Sequence, residues 1–161
     1  IDFDLVKEWI KCCENWHGKS CDLGDHISFN ESGEFLVVDA VEGCLVNIPC
    51  SARYVALSYV WGGAKTLATC KDNVDKLMRP GALFSRLDEI SRTRRDAINL
   101  IPLIGERYVW IDVLCMVQDD PDMNKILVNQ MDKIYQNAVC TVVVAVGNDA
   151  NVALPAISTD S

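Results

Sequence analysis

The chain has no basic tract long enough to follow a nucleic-acid backbone and no interleaving of basic with aromatic residues. Its formal charge is -8. Together these argue against nucleic acid and anionic membrane surfaces as partners. Long apolar runs are missing too. The longest, such as "VCTVVVAV", fall far short of a bilayer span, and none of these residues is expected to serve as a signal peptide, though targeting signals could have been removed with missing ends. An initiator Met is absent, since the chain starts at Ile1 and stops in "ISTDS", and the expectation is an excised piece of a longer protein. Histidine is scarce: His17 and His26 are the only two, which leaves little for Cys–His or Ser–His catalysis.

What is present points to one packed domain. Half of the 161 residues are hydrophobic, too many for a disordered chain, and the length suits one full core rather than two. Eight cysteines would suggest a disulfide framework in a small secreted protein. Here Cys44, Cys115 and Cys140 lie inside apolar runs, where a thiol behaves as a small hydrophobe, so a reduced, cytoplasmic protein is expected.

Phe3, Val6, Ile10 and Cys13 recur at helical spacing, predicting an amphipathic helix over residues 2–16. "EFLVVDA" and "CLVNI" flank the turn "VEG" and read as a β-hairpin. From Arg53 onward the pattern changes. "YVALSYV" reads as a strand, followed by a loop with one helical turn near "NVDKLM". Leu87, Ile90, Ala97, Ile101 and Ile104 then form a helical stripe that Arg94 interrupts, with Pro102 and Gly105 ending it. "RYVWIDVLCMV" reads as the next strand, and Asp120, Pro121 and Asp122 start a helix whose buried face is Leu127, Met131, Ile134, Tyr135 and Ala138. "VCTVVVAV" reads as a strand covered on both faces.

Strand, helix, strand, helix, strand implies α/β architecture: a parallel central sheet flanked by helices, joined by right-handed crossovers, with the N-terminal helix and hairpin added. The expected division is an extension over residues 1–52 packed on an α/β core over 53–161. Ligands in open sheets of this kind gather beyond the carboxyl ends of the strands. That places "SYVWGG", "DVLCMVQDD" and "GNDAN" on one rim.

The blocks "YVALSYVWG", "RDAINL", "LIGERYVWIDVLCMVQDD" and "QMDKIYQNAVCTVVVAVGNDANVALP", in this order, resemble the fungal heterokaryon incompatibility (HET) domain from about Tyr54 to Pro155. The segment "EWIKCCENWHGKSC" is similar to the Trp-Cys-His-Cys stretch that often precedes it. The resemblance implies an effector of regulated cell death when incompatible fungal individuals fuse. It further implies a distant likeness to TIR domains, whose fold is flavodoxin-like and some of which cleave NAD⁺, while others serve as assembly scaffolds. Two departures stand out. "ALPA", Ala153 to Ala156, replaces a Gly-Leu-Pro-Gly stretch, and no glutamate follows Val146, where a catalytic TIR domain carries one. Another acid, a residue beyond this chain, or an absence of such chemistry all remain open.

Within the rim, Asp112 is the candidate catalytic group. A carboxylate near the end of an apolar strand must be paired or solvated. One reading has it hold a loop or pair with Arg107 or Arg95; the other has it bind ribose or stabilise positive charge on the sugar as nicotinamide leaves. Ser58, Tyr59, Trp61 and Gly62, with Cys115 and Gln118, are the candidate dinucleotide-binding residues. Trp61 suits stacking on a planar ring, and Gly62 suits close backbone approach. Cys115 is expected to be a buried thiol rather than a nucleophile, Gln118 and Asp119 to organise the start of the next helix, and Tyr135 to be core. Asp96 is expected in a solvated or ion-paired surface role beside Arg94 and Arg95. Cys12, Cys13, His17 and Cys21 have the residue types of structural zinc without a standard spacing, and packing through Trp9 and Cys13 is the favoured reading. No cofactor is required; NAD⁺ enters as a substrate. The partners expected are copies of the chain or other death-signalling proteins, and a non-enzymatic, self-assembling signalling module is the alternative.

Overall fold

The structure, a computed structural model, describes residues 1–17, 33–63, 66–155 and 157. Helix α1 spans Phe3–Trp16 and begins where the Asp2 carboxylate accepts from the amides of Asp4 and Leu5. Phe3 and Val6 lean on the core, but no α1 residue is buried and Trp9 is 59 % exposed. The expected packing through Trp9 is therefore corrected: the Trp9 face of α1 meets solvent. Arg53 ties α1 down by reaching Glu14 and Glu106 together.

Strands β1 (Glu34–Asp39) and β2 (Cys44–Pro49) form the expected hairpin, with Phe35 opposite Ile48 and Asp39 opposite Cys44. Asp39 organises its turn by accepting from the amides of Val41 and Glu42, both at 3.0 Å. Three further strands, β3 (Val55–Ser58), β4 (Tyr108–Trp110) and β5 (Thr141–Val143), complete a sheet in the order β2-β1-β4-β3-β5. Both β4 and β5 run parallel to β3, whereas β1 pairs antiparallel with β4 through Val38 and Val109. The sheet is thus mixed α/β rather than wholly parallel, because the hairpin docks its β1 edge against the β4 edge that β3 leaves free. β5 also departs from expectation. It lies at the sheet edge, and Val143 is 64 % exposed, so it is not covered on both faces.

The helices correct three readings. The apolar stripe begins in a 3₁₀ segment, Phe84–Glu89, and continues in α3 (Arg92–Leu103), where Ala97, Ile98 and Ile101 are buried. Its two interrupting charges, Arg94 and Asp96, are also buried, and Asp96 accepts from the Leu154 amide at 2.9 Å rather than facing water. Second, the run after β4 does not stay extended: Asp112–Cys115 forms a single helical turn, α4. Third, the following helix is two pieces, α5 (Pro121–Val128) and α6 (Met131–Gln136), the first capped by Asp120 as expected. A short α2 (Val74–Leu77) lies in the β3–α3 connection.

The core gathers on β3 and β4. Tyr54, Val55, Leu57, Trp110, Ile111, Leu114, Ile98 and Ile101 are essentially solvent-free. Each large aliphatic side chain among them contributes on the order of 1.5–3 kcal/mol by burial. Among the described residues, no helix is long and apolar enough to cross a membrane.

Candidate functional site

The carboxyl ends of β3 and β4 emerge side by side because the two strands pair in parallel, Ala56 beside Trp110. From β3 the chain runs through Ser58, Tyr59, Val60, Trp61 and Gly62; from β4 it passes Ile111 and turns into α4 at Asp112. The two exits meet through the Asp112 carboxylate. Its Oδ1 accepts from the Tyr59 hydroxyl at 2.7 Å and from the Val113 amide at 2.7 Å, and its Oδ2 accepts from Trp61 Nε1 at 2.6 Å.

Tyr59 extends the chain of bonds inward, its oxygen accepting from Arg94 Nε at 2.8 Å. The Arg94 guanidinium also lies 4.9 Å from the centre of the Tyr59 ring, within cation–π range. Arg94, Tyr59, Asp112 and Trp61 thus form one relay, with a cation at the buried end and an indole at the outer one. Burial, and after it the Asp112 carboxylate, raise the Tyr59 pKa well above that of a free phenol. Tyr59 therefore stays protonated at neutral pH and keeps donating to Asp112 there.

The remaining rim is built by close approach. Gly62 has φ +62°, and a Cβ there would fall 2.3 Å from Cβ of Asp149 and 2.7 Å from its Cα. The "GNDAN" loop therefore closes against the β3 exit, as its position in the sequence implied. That loop is also fastened to α3: the Thr93 amide donates to Ala150 O at 3.0 Å and the Thr93 hydroxyl to Val152 O at 2.7 Å.

Asp112 makes no ion pair among the described residues, and Arg107 is spent on Asp39, donating from Nε at 2.9 Å and Nη2 at 2.8 Å. The expected Arg107 or Arg95 pairing is thereby replaced by Tyr59, Trp61 and the Val113 amide. Gln118 lies one step behind the carboxylate, its Nε2 donating to Asp112 O at 3.3 Å and Met116 O at 3.0 Å. Asp119 accepts from the Lys71 amide at 2.8 Å. Both organise the approach to α5.

Cys115 stands apart. Its thiol is buried between Ile111 N and Val109 O, and burial pushes its pKa up to about 12, which makes a thiolate nucleophile untenable at neutral pH. It borders a separate apolar cleft of about 280 Å³, shared with Phe35, Trp110, Met123 and Leu127. Tyr135 packs edge-to-face on Trp110 and donates to Leu57 O at 3.2 Å, as expected of a core tyrosine. Of the zinc candidates, Cys21 lies outside the described residues, and no group of three or more metal-ligating side chains occurs among the described ones.

Sequence reasoning missed Arg94 as part of the rim. The signal was available: a charged residue at a position where the helical stripe requires burial must itself be buried and partnered.

A family model described as "Heterokaryon incompatibility protein (HET)" matches residues 54–160. Among curated proteins and among solved structures, nothing matches the chain.

Proposed function

We infer the function of this chain from two premises: it belongs to the heterokaryon incompatibility (HET) family, and Trp61 and Asp112 meet at the carboxyl ends of its parallel strands. The protein acts in heterokaryon incompatibility. Our reading is that it does so as a cytoplasmic effector of regulated cell death that hydrolyses NAD⁺ at this rim. The observation that carries the reading is the 2.6 Å contact between Trp61 Nε1 and Asp112 Oδ2, which sets an aromatic surface beside a carboxylate where α/β sheets bind ligands. The parallel strands β4-β3-β5, with the first in chain order at the centre, also follow the order in which a flavodoxin-like sheet begins.

In this reaction the bond between nicotinamide and the ribose anomeric carbon breaks, the pair of electrons leaves with nicotinamide, and water adds to the sugar with loss of a proton. Asp112 stabilises the positive charge that develops on the ribose, and Trp61 stacks on a base. No cofactor takes part.

A second reading, a non-enzymatic module that signals by assembling with copies of itself, is favoured by a different observation. The Asp112 carboxylate already accepts three hydrogen bonds that tie the β3 and β4 exits together, and the β5 edge exposes Val143 and, just beyond it, Val146. Incubating the purified chain with NAD⁺ and following free nicotinamide by chromatography separates the two. Release that tracks protein concentration supports hydrolysis. If none appears even from concentrated, assembled protein, the hydrolase reading fails and the assembly reading takes its place.

A further inference from the structure

Helix α3 begins with an unusual charge arrangement. Ser91 occupies its N-cap position, and Arg92, Arg94 and Arg95 follow within one turn that holds no acidic residue. The dipole makes this end of a helix positive, so carboxylates are the side chains that usually stabilise it and arginines run against the preference. On a chain of net charge -8, the turn is a local concentration of positive charge.

Two side chains of the same turn are buried with hydrogen-bonding capacity unspent. Ser91 is 7 % exposed, makes no side-chain cap bond, and its Oγ has no partner among the described residues. Arg94 is 2 % exposed; it gives Nε to Tyr59 but leaves Nη1 buried and without a partner among the described residues. Residues three apart share a helix face, and long helical side chains lean back toward the N-terminus, so the Arg94 fork lies over the turn that Ser91 opens. A buried guanidinium hydrogen and a buried hydroxyl left empty are each costly. An oxyanion seated at the positive end of the helix supplies acceptors to both.

We infer that the first turn of α3 is a phosphoryl-anion subsite, with Arg94 Nη1 and Ser91 Oγ as its donors. It lies one hydrogen bond behind Tyr59 on the rim already described. The choice of ligand, the diphosphate of a dinucleotide, rests on the reading given above; the anion site itself needs no bond to be cleaved. Both donor atoms are shut off from bulk water, and the segment 150–154 is held to the same helix through Thr93 and Asp96; the inferred site requires the packing around this turn to open for the anion to enter.

Thermal melts and calorimetric titrations of the whole 161-residue chain test this, using sodium phosphate and, separately, ADP-ribose, each against sodium chloride of equal ionic strength. Phosphate is expected to raise the melting temperature beyond the chloride control, by roughly 5–10 °C at a hundred times its dissociation constant. A tighter response to ADP-ribose assigns the subsite to a diphosphate; equal or weaker response assigns it to free phosphate, and both support an anion site. Arg94→Gln should weaken binding by about tenfold or more. Ser91→Ala should weaken it by roughly threefold while leaving the ligand-free melting temperature at or above that of the parent, because the hydroxyl it deletes is unpartnered. That second variant keeps the test decisive if Arg94→Gln fails to fold. No stabilisation beyond chloride, or parent-like binding by both variants, overturns the inference. Nicotinamide release is read independently: phosphate binding without release removes hydrolysis and keeps the subsite, and release without phosphate binding removes the subsite alone.

Discussion

Replacing Asp112 by alanine removes the group on which the β3 and β4 exits converge, and the loss can be apportioned bond by bond. Trp61 is 45 % exposed, so its indole N–H finds water and its release costs little. The Val113 amide does not: Val113 is 4 % exposed, and stranding a buried donor costs about 1–3 kcal/mol. The Tyr59 hydroxyl loses an ionised acceptor, a bond worth roughly 1.5–3 kcal/mol, and the buried Arg94 beyond it loses the only carboxylate in its relay. The bonds are not additive, because they share one carboxylate. A total of about 3–4 kcal/mol is expected, which for a chain of this size lowers the melting temperature by roughly 6–15 °C. Circular dichroism melts with parallel urea titrations measure it, and Trp61→Phe, expected to cost under about 1 kcal/mol, serves as the internal comparison. An alanine variant melting within about 2 °C of the parent would refute the relay as a structural element. Loss of killing in such a normally stable variant would instead assign Asp112 to chemistry.

Two further substitutions probe the frame around the rim. Burial pushes the Asp39 carboxyl up, but hydrogen bonds from Arg107 and from the Glu42 and Val41 amides outweigh it, so its folded pKa lies below the usual value. A lowered folded pKa gives stability that is complete above the unfolded value of about 3.9 and is lost as pH falls through the folded one. Asp39→Asn should therefore cost about 1–2 kcal/mol at neutral pH, and the gap from the parent should close in urea melts below about pH 4; a gap that is constant with pH would show that the charge on Asp39 contributes nothing. Gly62→Ala must take a left-handed conformation, at roughly 1–2 kcal/mol, and its methyl would meet the Asp149 backbone. Limited proteolysis should then cut the 147–155 segment faster than in the parent, and unchanged cutting would mean that this loop does not depend on the β3 exit.

Where local chemistry decides structure, the sequence was a good guide. Asp120-Pro121 started α5, Gly105 followed the end of α3, and the hairpin formed around its turn. The convergence of Trp61 with Asp112 was also readable, because two crossover connections force neighbouring parallel strands to exit together. What failed depended on distant partners. "DVLC" is apolar enough for either a buried strand or a buried helical turn, and periodicity over four residues does not separate them. The docking of β1 on β4 joins residues about seventy positions apart, through Val38 and Val109, and nothing local to either announces the other. Asp96 was expected at the surface because charge usually is; its burial follows from its place in a packed helix and from the C-terminal segment that bonds it through the Leu154 amide, while Arg94 is buried because it falls on the stripe it interrupts.

The middle of the sheet is filled late in the chain. β1 and β3 both wait for β4, which supplies only Tyr108–Trp110, and β3 gains its second neighbour only from Thr141–Val143. Up to residue 100 the chain supplies a hairpin and a strand with no seam between them, and the tryptophan of the rim has no carboxylate to hold. The rim is therefore assembled only once the chain has passed β4 and α4, and the sheet is completed only with Thr141–Val143.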